Sequence, residues 1–166
     1  MTRKTQVLLL AAVLLVVAVV GGVIALGKSS IGDDDEAAAS SSVLAADALQ
    51  VARDEALAFF SLDFRTAEAN VAKVLSLATG TFKEQYAANQ AQVIAQVKQK
   101  KLVSAAAIPD GGVAVEFATP TQARVLVVVD VSRTIGTKVD RLRNRARIVL
   151  DSVDGRWLVS GVNQVG

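Results

Sequence analysis

Between Val7 and Leu26 this chain places 20 consecutive residues without a charge. At about 1.5 Å of helical rise per residue, the run spans roughly 30 Å, the thickness of a bilayer's hydrocarbon core. Arg3 and Lys4 precede it, while Lys28 and then Asp33, Asp34, Asp35 and Glu36 follow. Positive charge on the short leading side predicts that residues 1–6 stay in the cytoplasm and the remainder crosses the membrane. Ala25-Leu26-Gly27 offers the small residues that signal peptidase accepts. Signal-peptide cores, however, run to about 7–15 residues, and this one is longer. The expectation is a retained anchor over residues 7–27, single-pass in the plasma membrane, with the working domain outside the cytoplasm. A lipoprotein anchor is excluded, because the chain has no cysteine.

The anchor distorts the bulk composition. The formal charge is +2, from 18 basic and 16 acidic residues. Setting aside Arg3, Lys4 and Lys28 leaves 15 basic against 16 acidic side chains from Ser29 onward, a net charge of −1. An overall pI near 9.1 is therefore no argument for nucleic acid as a partner. An exported domain without cysteine is held by packing alone. The absence of histidine removes the commonest general base and the commonest metal ligand.

Residues 28–42 read as a polar acidic linker. The Asp33–Glu36 cluster lacks the alternating carboxylates, turn glycine and distal glutamate of a calcium loop, so a solvated, self-repelling spacer is expected. The extracytoplasmic domain then covers residues 43–166. Leu49, Ala52, Ala56, Phe59 and Phe60 form one stripe of an amphipathic helix. Thr66 is placed to cap a second helix carrying Val71, Val74, Leu75 and Ala78. Gly80 ends that helix, and Thr81 to Glu84 reads as a capping box for a third, with Phe82, Tyr86, Val93 and Val97 on its apolar side.

After Leu102 the apolar period becomes two. Val113, Val115 and Phe117 alternate with polar or small residues, as do Val125, Val127, Val129 and Val131. A third strand covers about Arg141 to Val153, and Asp154-Gly155 is a strong hairpin signal before Arg156 to Val162. Helices followed by consecutive strands predict an α+β domain, with about three helices on one face of a four-stranded antiparallel sheet. The cystatin-like or NTF2-like half-cone satisfies this order, as does a four-stranded sheet with a helical hairpin elsewhere in the α+β class.

No catalytic constellation emerges, and no cofactor or metal is implied. The remaining candidates for acid–base work are Asp54, Asp63, Glu116, Asp130 and Asp151. An enzyme would need one of them buried beside a pocket, and its activity should vanish on replacing Asp63 and Asp130 with Asn. Alternation places Asp130 opposite the valine face, cross-strand from an arginine. Arg141, Arg143, Arg145 and Arg147 alternate with Leu142, Asn144, Ala146 and Ile148, so a strand sets four guanidinium groups on one face. That face is a candidate docking surface for an acidic partner or anionic headgroups; the competing reading is a solvated face neutralised by Asp130, Asp140 and Asp151. Nucleic acid is disfavoured by the absence of interleaved aromatics. Phe59, Phe60, Phe64, Phe82, Tyr86 and Trp157 are candidates to line an apolar cavity, a site for an apolar ligand such as a lipid being one use and plain core the other.

Several segments resemble the Mce-associated membrane proteins of actinobacteria. They are Leu62-Asp63-Phe64-Arg65-Thr66, Ala78-Thr79-Gly80-Thr81-Phe82 with Tyr86, and Asp154-Gly155-Arg156-Trp157-Leu158-Val159. The order of basic tail, anchor, polar spacer and domain matches as well. The resemblance implies a non-enzymatic accessory that supports assembly or stability of a Mce-type lipid or sterol import complex, with that complex's subunits as partners. It also implies a domain similar to the NTF2-like periplasmic domain of VirB8 proteins, which makes a secretion or conjugation scaffold the alternative. A lipid-binding module and self-association remain open.

Overall fold

The structure, a computed structural model, describes residues 34–165. The cytoplasmic tail and the anchor expected over residues 1–27 lie outside the described residues. Among those described, no helix is long and apolar enough to cross a membrane.

Helix α1 (Asp34–Phe60) leads into a two-residue strand β1 (Leu62–Asp63), then α2 (Ala67–Leu77) and α3 (Gly80–Lys100). Ala48, Ala52, Ala56 and Phe60 recur every fourth residue of α1, and all four are buried. The backbone is already helical at Asp34, within the stretch expected as linker. Alanine enrichment there favours the helix.

Neither cap forms as the sequence predicts. The Thr66 hydroxyl donates to Asn70 Oδ1 (3.1 Å) instead of accepting from the backbone of α2. Helix α3 starts before the expected capping box, with Gly80 at φ +57° and Thr79 in the cap position. The reason lies in the sheet: Thr79 N–H donates to the Val159 carbonyl (2.8 Å), which fixes the entry to the helix.

The remaining strands are β2 (Leu102–Ala107), β3 (Val113–Ala118), β4 (Gln122–Ile135), β5 (Lys138–Val153) and β6 (Arg156–Gln164). They build one six-stranded sheet ordered β1-β2-β4-β5-β6, with β3 also pairing β4, where four strands were expected. All named pairs are antiparallel. Strands β2 and β3 follow one another along the same edge of β4, opposite its residues 130–135 and 123–127 respectively.

The three helices cover one face. On that face Ala123, Val125, Val127, Val129 and Val131 of β4 meet Ala146, Ile148 and Leu150 of β5 and Trp157, Val159 and Val162 of β6, all buried. Each fully buried valine or leucine contributes about 1.5–3 kcal/mol through water released from its surface. Phe117 departs from the expected alternation. A register shift between Val115 and Phe117 pairs Phe117 with Arg124, so the ring turns to the outer face and is 43% exposed. An extra residue in a strand reverses every side chain after it.

Strand β6 covers β5 only from Ala146 to Val153. The other half of β5 pairs with β4 alone, down to the turn at Gly136-Thr137. The β4–β5 hairpin therefore overhangs its covered half.

Candidate docking face, aromatic interior and a buried carboxylate

Strand alternation brings Arg141, Arg143, Arg145 and Arg147 together on the outer face, away from the described helices, as the sequence predicts. Cross-strand neighbours decide their state. Arg143 stands opposite Asp130 and donates from Nε and Nη2 to its two oxygens (2.6 and 2.7 Å). Arg147 reaches past β4 to Glu116, again with two bonds (2.5 and 2.8 Å). These hydrogen bonds hold both carboxyls below the usual carboxylate range. Arg141 and Arg145 face Ser132 and Val128 and have no ion-pair partner among the described residues.

Neutralisation thus comes from Asp130 and Glu116. Asp140 lies on the other face, opposite Arg133 (4.0 Å), and Asp151 accepts from Gln122 (3.2 Å). Glu116 sits at the register shift of β3, between Val115 and Phe117, a connection that strand pairing supplies and composition does not. Around the arginines, the outer face carries half-buried Leu126 and Val128 of β4, Val149 of β5 and Leu158 of β6, which no described helix covers.

The aromatic residues divide between two places. Phe59 lies against Phe60 (ring centroids 5.2 Å), Phe82 (6.3 Å) and Tyr86 (6.0 Å) at the junction of α1 and α3. Trp157 belongs to the same core. Phe64 does not. It packs with Ala67, Val97 and Leu102 in a second cluster near β1, with the Arg65 guanidinium over its ring.

The carboxylates singled out in the sequence all have polar partners or lie outside the core. Asp63 accepts from Arg65, whose bonds draw its carboxyl down to about 2. Asp54 accepts from Gln50 (3.0 Å). The one buried carboxylate of the described residues is Glu55, which is not among those candidates. It is 0% exposed, and neither oxygen has a hydrogen-bond partner. Burial pushes its carboxyl up to about 8, against the opposing pull of the Lys73 charge on α2. Burial and the nearness of Glu55 raise the Tyr86 hydroxyl to about 12. The signal was available: Glu55 follows Ala52 by three and precedes Phe59 by four, within the apolar stripe.

A family profile described as "Uncharacterized protein Rv1363c/MT1408-like" matches residues 5–166. Outer membrane protein Rv1973 of Mycobacterium tuberculosis is 31% identical over 122 residues, covering 71% of this chain and 74% of that protein. Among solved structures, the periplasmic domain of DotI has a TM-score of 0.59 at 18% identity, covering 82% of this chain and 99% of that one. CagV of Helicobacter pylori, a VirB8 homolog of a type IV secretion system, has a TM-score of 0.55 at 13% identity, covering 71% and 96%. At these identities the likeness is one of fold, and the domain has the α+β fold of VirB8-like proteins. By the match along nearly its whole length, the chain belongs to the Rv1363c/MT1408-like family.

Proposed function

We propose that this protein is a non-enzymatic, membrane-anchored scaffold that supports assembly or stability of a Mce-type lipid or sterol import complex in the cell envelope. One observation carries the reading. The outer sheet face, with its arginines and half-buried Leu126, Val128, Val149 and Leu158, is left without a covering layer by the described helices. A face of that composition suits contact with another protein. The uncharged run over residues 7–26 supports a single-pass anchor in the plasma membrane, with the domain extracytoplasmic. The name of the Mycobacterium tuberculosis relative is consistent with an envelope location.

The state of the carboxylates supports a non-catalytic role. Asp63, Glu116 and Asp130 are each bound by an arginine that lowers the carboxyl's proton affinity, which makes them poor proton acceptors at neutral pH. The fold shared with CagV favours one second reading, a scaffold of a secretion or conjugation machine.

Co-purification of the full-length chain from native membranes tests both. Transporter subunits should accompany it, and secretion-machine subunits in their place would transfer the protein to the second reading. Recovery of neither set of subunits would overturn the scaffold role. Protease added to intact spheroplasts should digest the domain; protection there would overturn the proposed topology.

A further inference from the structure

The overhanging half of β5 has an open edge. Arg145's carbonyl points away from β4, because it accepts from Val165 N–H (2.8 Å). Antiparallel alternation turns the backbone groups of Arg143, Arg141 and Val139 the same way. Beyond Val165, no described strand pairs with them. Residues 138–143 are all exposed, including Val139 at 54% and Leu142 at 40%. An extended edge with free N–H and C=O groups and exposed apolar side chains is a template for another strand.

The side chains restrict what can add there. On the outer face the edge presents Val139, Arg141, Arg143 and Arg145, of which Arg141 and Arg145 have no ion-pair partner among the described residues. On the inner face it presents Leu142, opposite Val131, flanked by Asn144 and by Asp140, which is paired with Arg133. Residues directly opposite in a sheet share a face. A second copy of β5 added antiparallel would set arginines beside arginines, which disfavours self-pairing. A strand with acidic residues at every second position would set carboxylates against Arg141 and Arg145, and its intervening apolar residues would meet Leu142.

We infer that the free edge of β5 from Val139 to Arg145 is a docking site for an extended acidic segment of a partner protein, held by strand addition. This deepens the scaffold reading and rests on it, by naming how one partner is gripped. Backbone bonds give such a contact its hold, and alternate side chains give it selectivity.

The test uses the full-length chain in lipid nanodiscs and an octapeptide of alternating glutamate and valine. Binding should slow hydrogen exchange at the Val139, Arg141 and Arg143 amides. The same peptide with lysine in place of glutamate should not bind. Arg141→Pro removes one outward N–H at an edge position where proline is tolerated, and should weaken binding at least about tenfold. Arg141→Glu with Arg145→Glu, which leaves the backbone intact, should do the same. Binding without amide protection, unchanged affinity in both variants, or no binding would each overturn the inference. Edge protection caused by self-association would overturn it in favour of a second copy. Protection by phosphatidylglycerol vesicles but not by peptide would overturn it in favour of headgroups.

The two levels separate in the native membrane. Subunits that still co-purify with the Arg141→Pro chain would overturn strand addition and leave the scaffold role standing. Peptide binding at the edge without any co-purifying subunit would overturn the scaffold role and leave the edge site standing.

Discussion

Glu55 makes the energy of the fold depend on pH. Its carboxyl titrates at about 8 in the folded chain against an ordinary value of 4.5, because burial disfavours the charged form. Between those values the folded state keeps a proton that the unfolded state releases, so stability falls as pH rises through this window. Below the window, stability carries no cost from this group; above it, the whole cost is present. At ~1.4 kcal/mol per unit the span is on the order of 4–5 kcal/mol. Thermal melts should therefore show the wild-type chain losing ground to Glu55→Gln between pH 5 and pH 9; parallel melting at both would refute this. At Ile148, fully buried on β5, truncation to alanine should cost about 2–5 kcal/mol in denaturant unfolding. The burial of Ile148 was legible from its place opposite the arginines. That of Glu55 showed only in its place on the apolar stripe, where a charged side chain is ordinarily assigned to the rim.

The hairpins show which parts of the sequence speak for themselves. Asp154 and Gly155 adopt φ of +51° and +75°, the turn that Asp-Gly predicts between strands of matching twist. Gly155→Val should destabilise by about 1–2 kcal/mol, since a β-branched side chain resists that backbone conformation, and urea unfolding would measure it. The long valine and arginine strands were equally legible from their period of two. Strand β2 was not. Its Ser104-Ala105-Ala106-Ala107 stretch has little intrinsic strand preference and is extended because it pairs with β4. The turning of Phe117 was hidden for a related reason, because a register shift belongs to two strands at once. Among the docking residues, the arginine ladder was visible in one dimension, whereas its partial neutralisation by Glu116 needed the third strand in place. Asp130→Asn would release Arg143 from its carboxylate, so affinity for the alternating glutamate–valine peptide should rise while stability changes little; a fall in affinity would contradict the assignment.

For the whole molecule, the packed layers and the overhang should differ in dynamics. Amides of Ile148 and Leu150 lie where β5 is flanked by β4 and β6 beneath the helices, while those of Val139 and Arg141 lie on the open edge. Hydrogen exchange of the unliganded chain should be slowest at the former and fast at the latter. The overhang also has a mechanical consequence. Inter-strand bonds run across the strands, so a pull directed along β5 from its tip stresses the ladder from Ile135–Lys138 to Gln122–Asp151 together. Traction in that direction must shear many rungs at once, whereas peeling the edge sideways breaks them in turn. A load borne lengthwise on this arm would thus meet the stiffest resistance the sheet can offer.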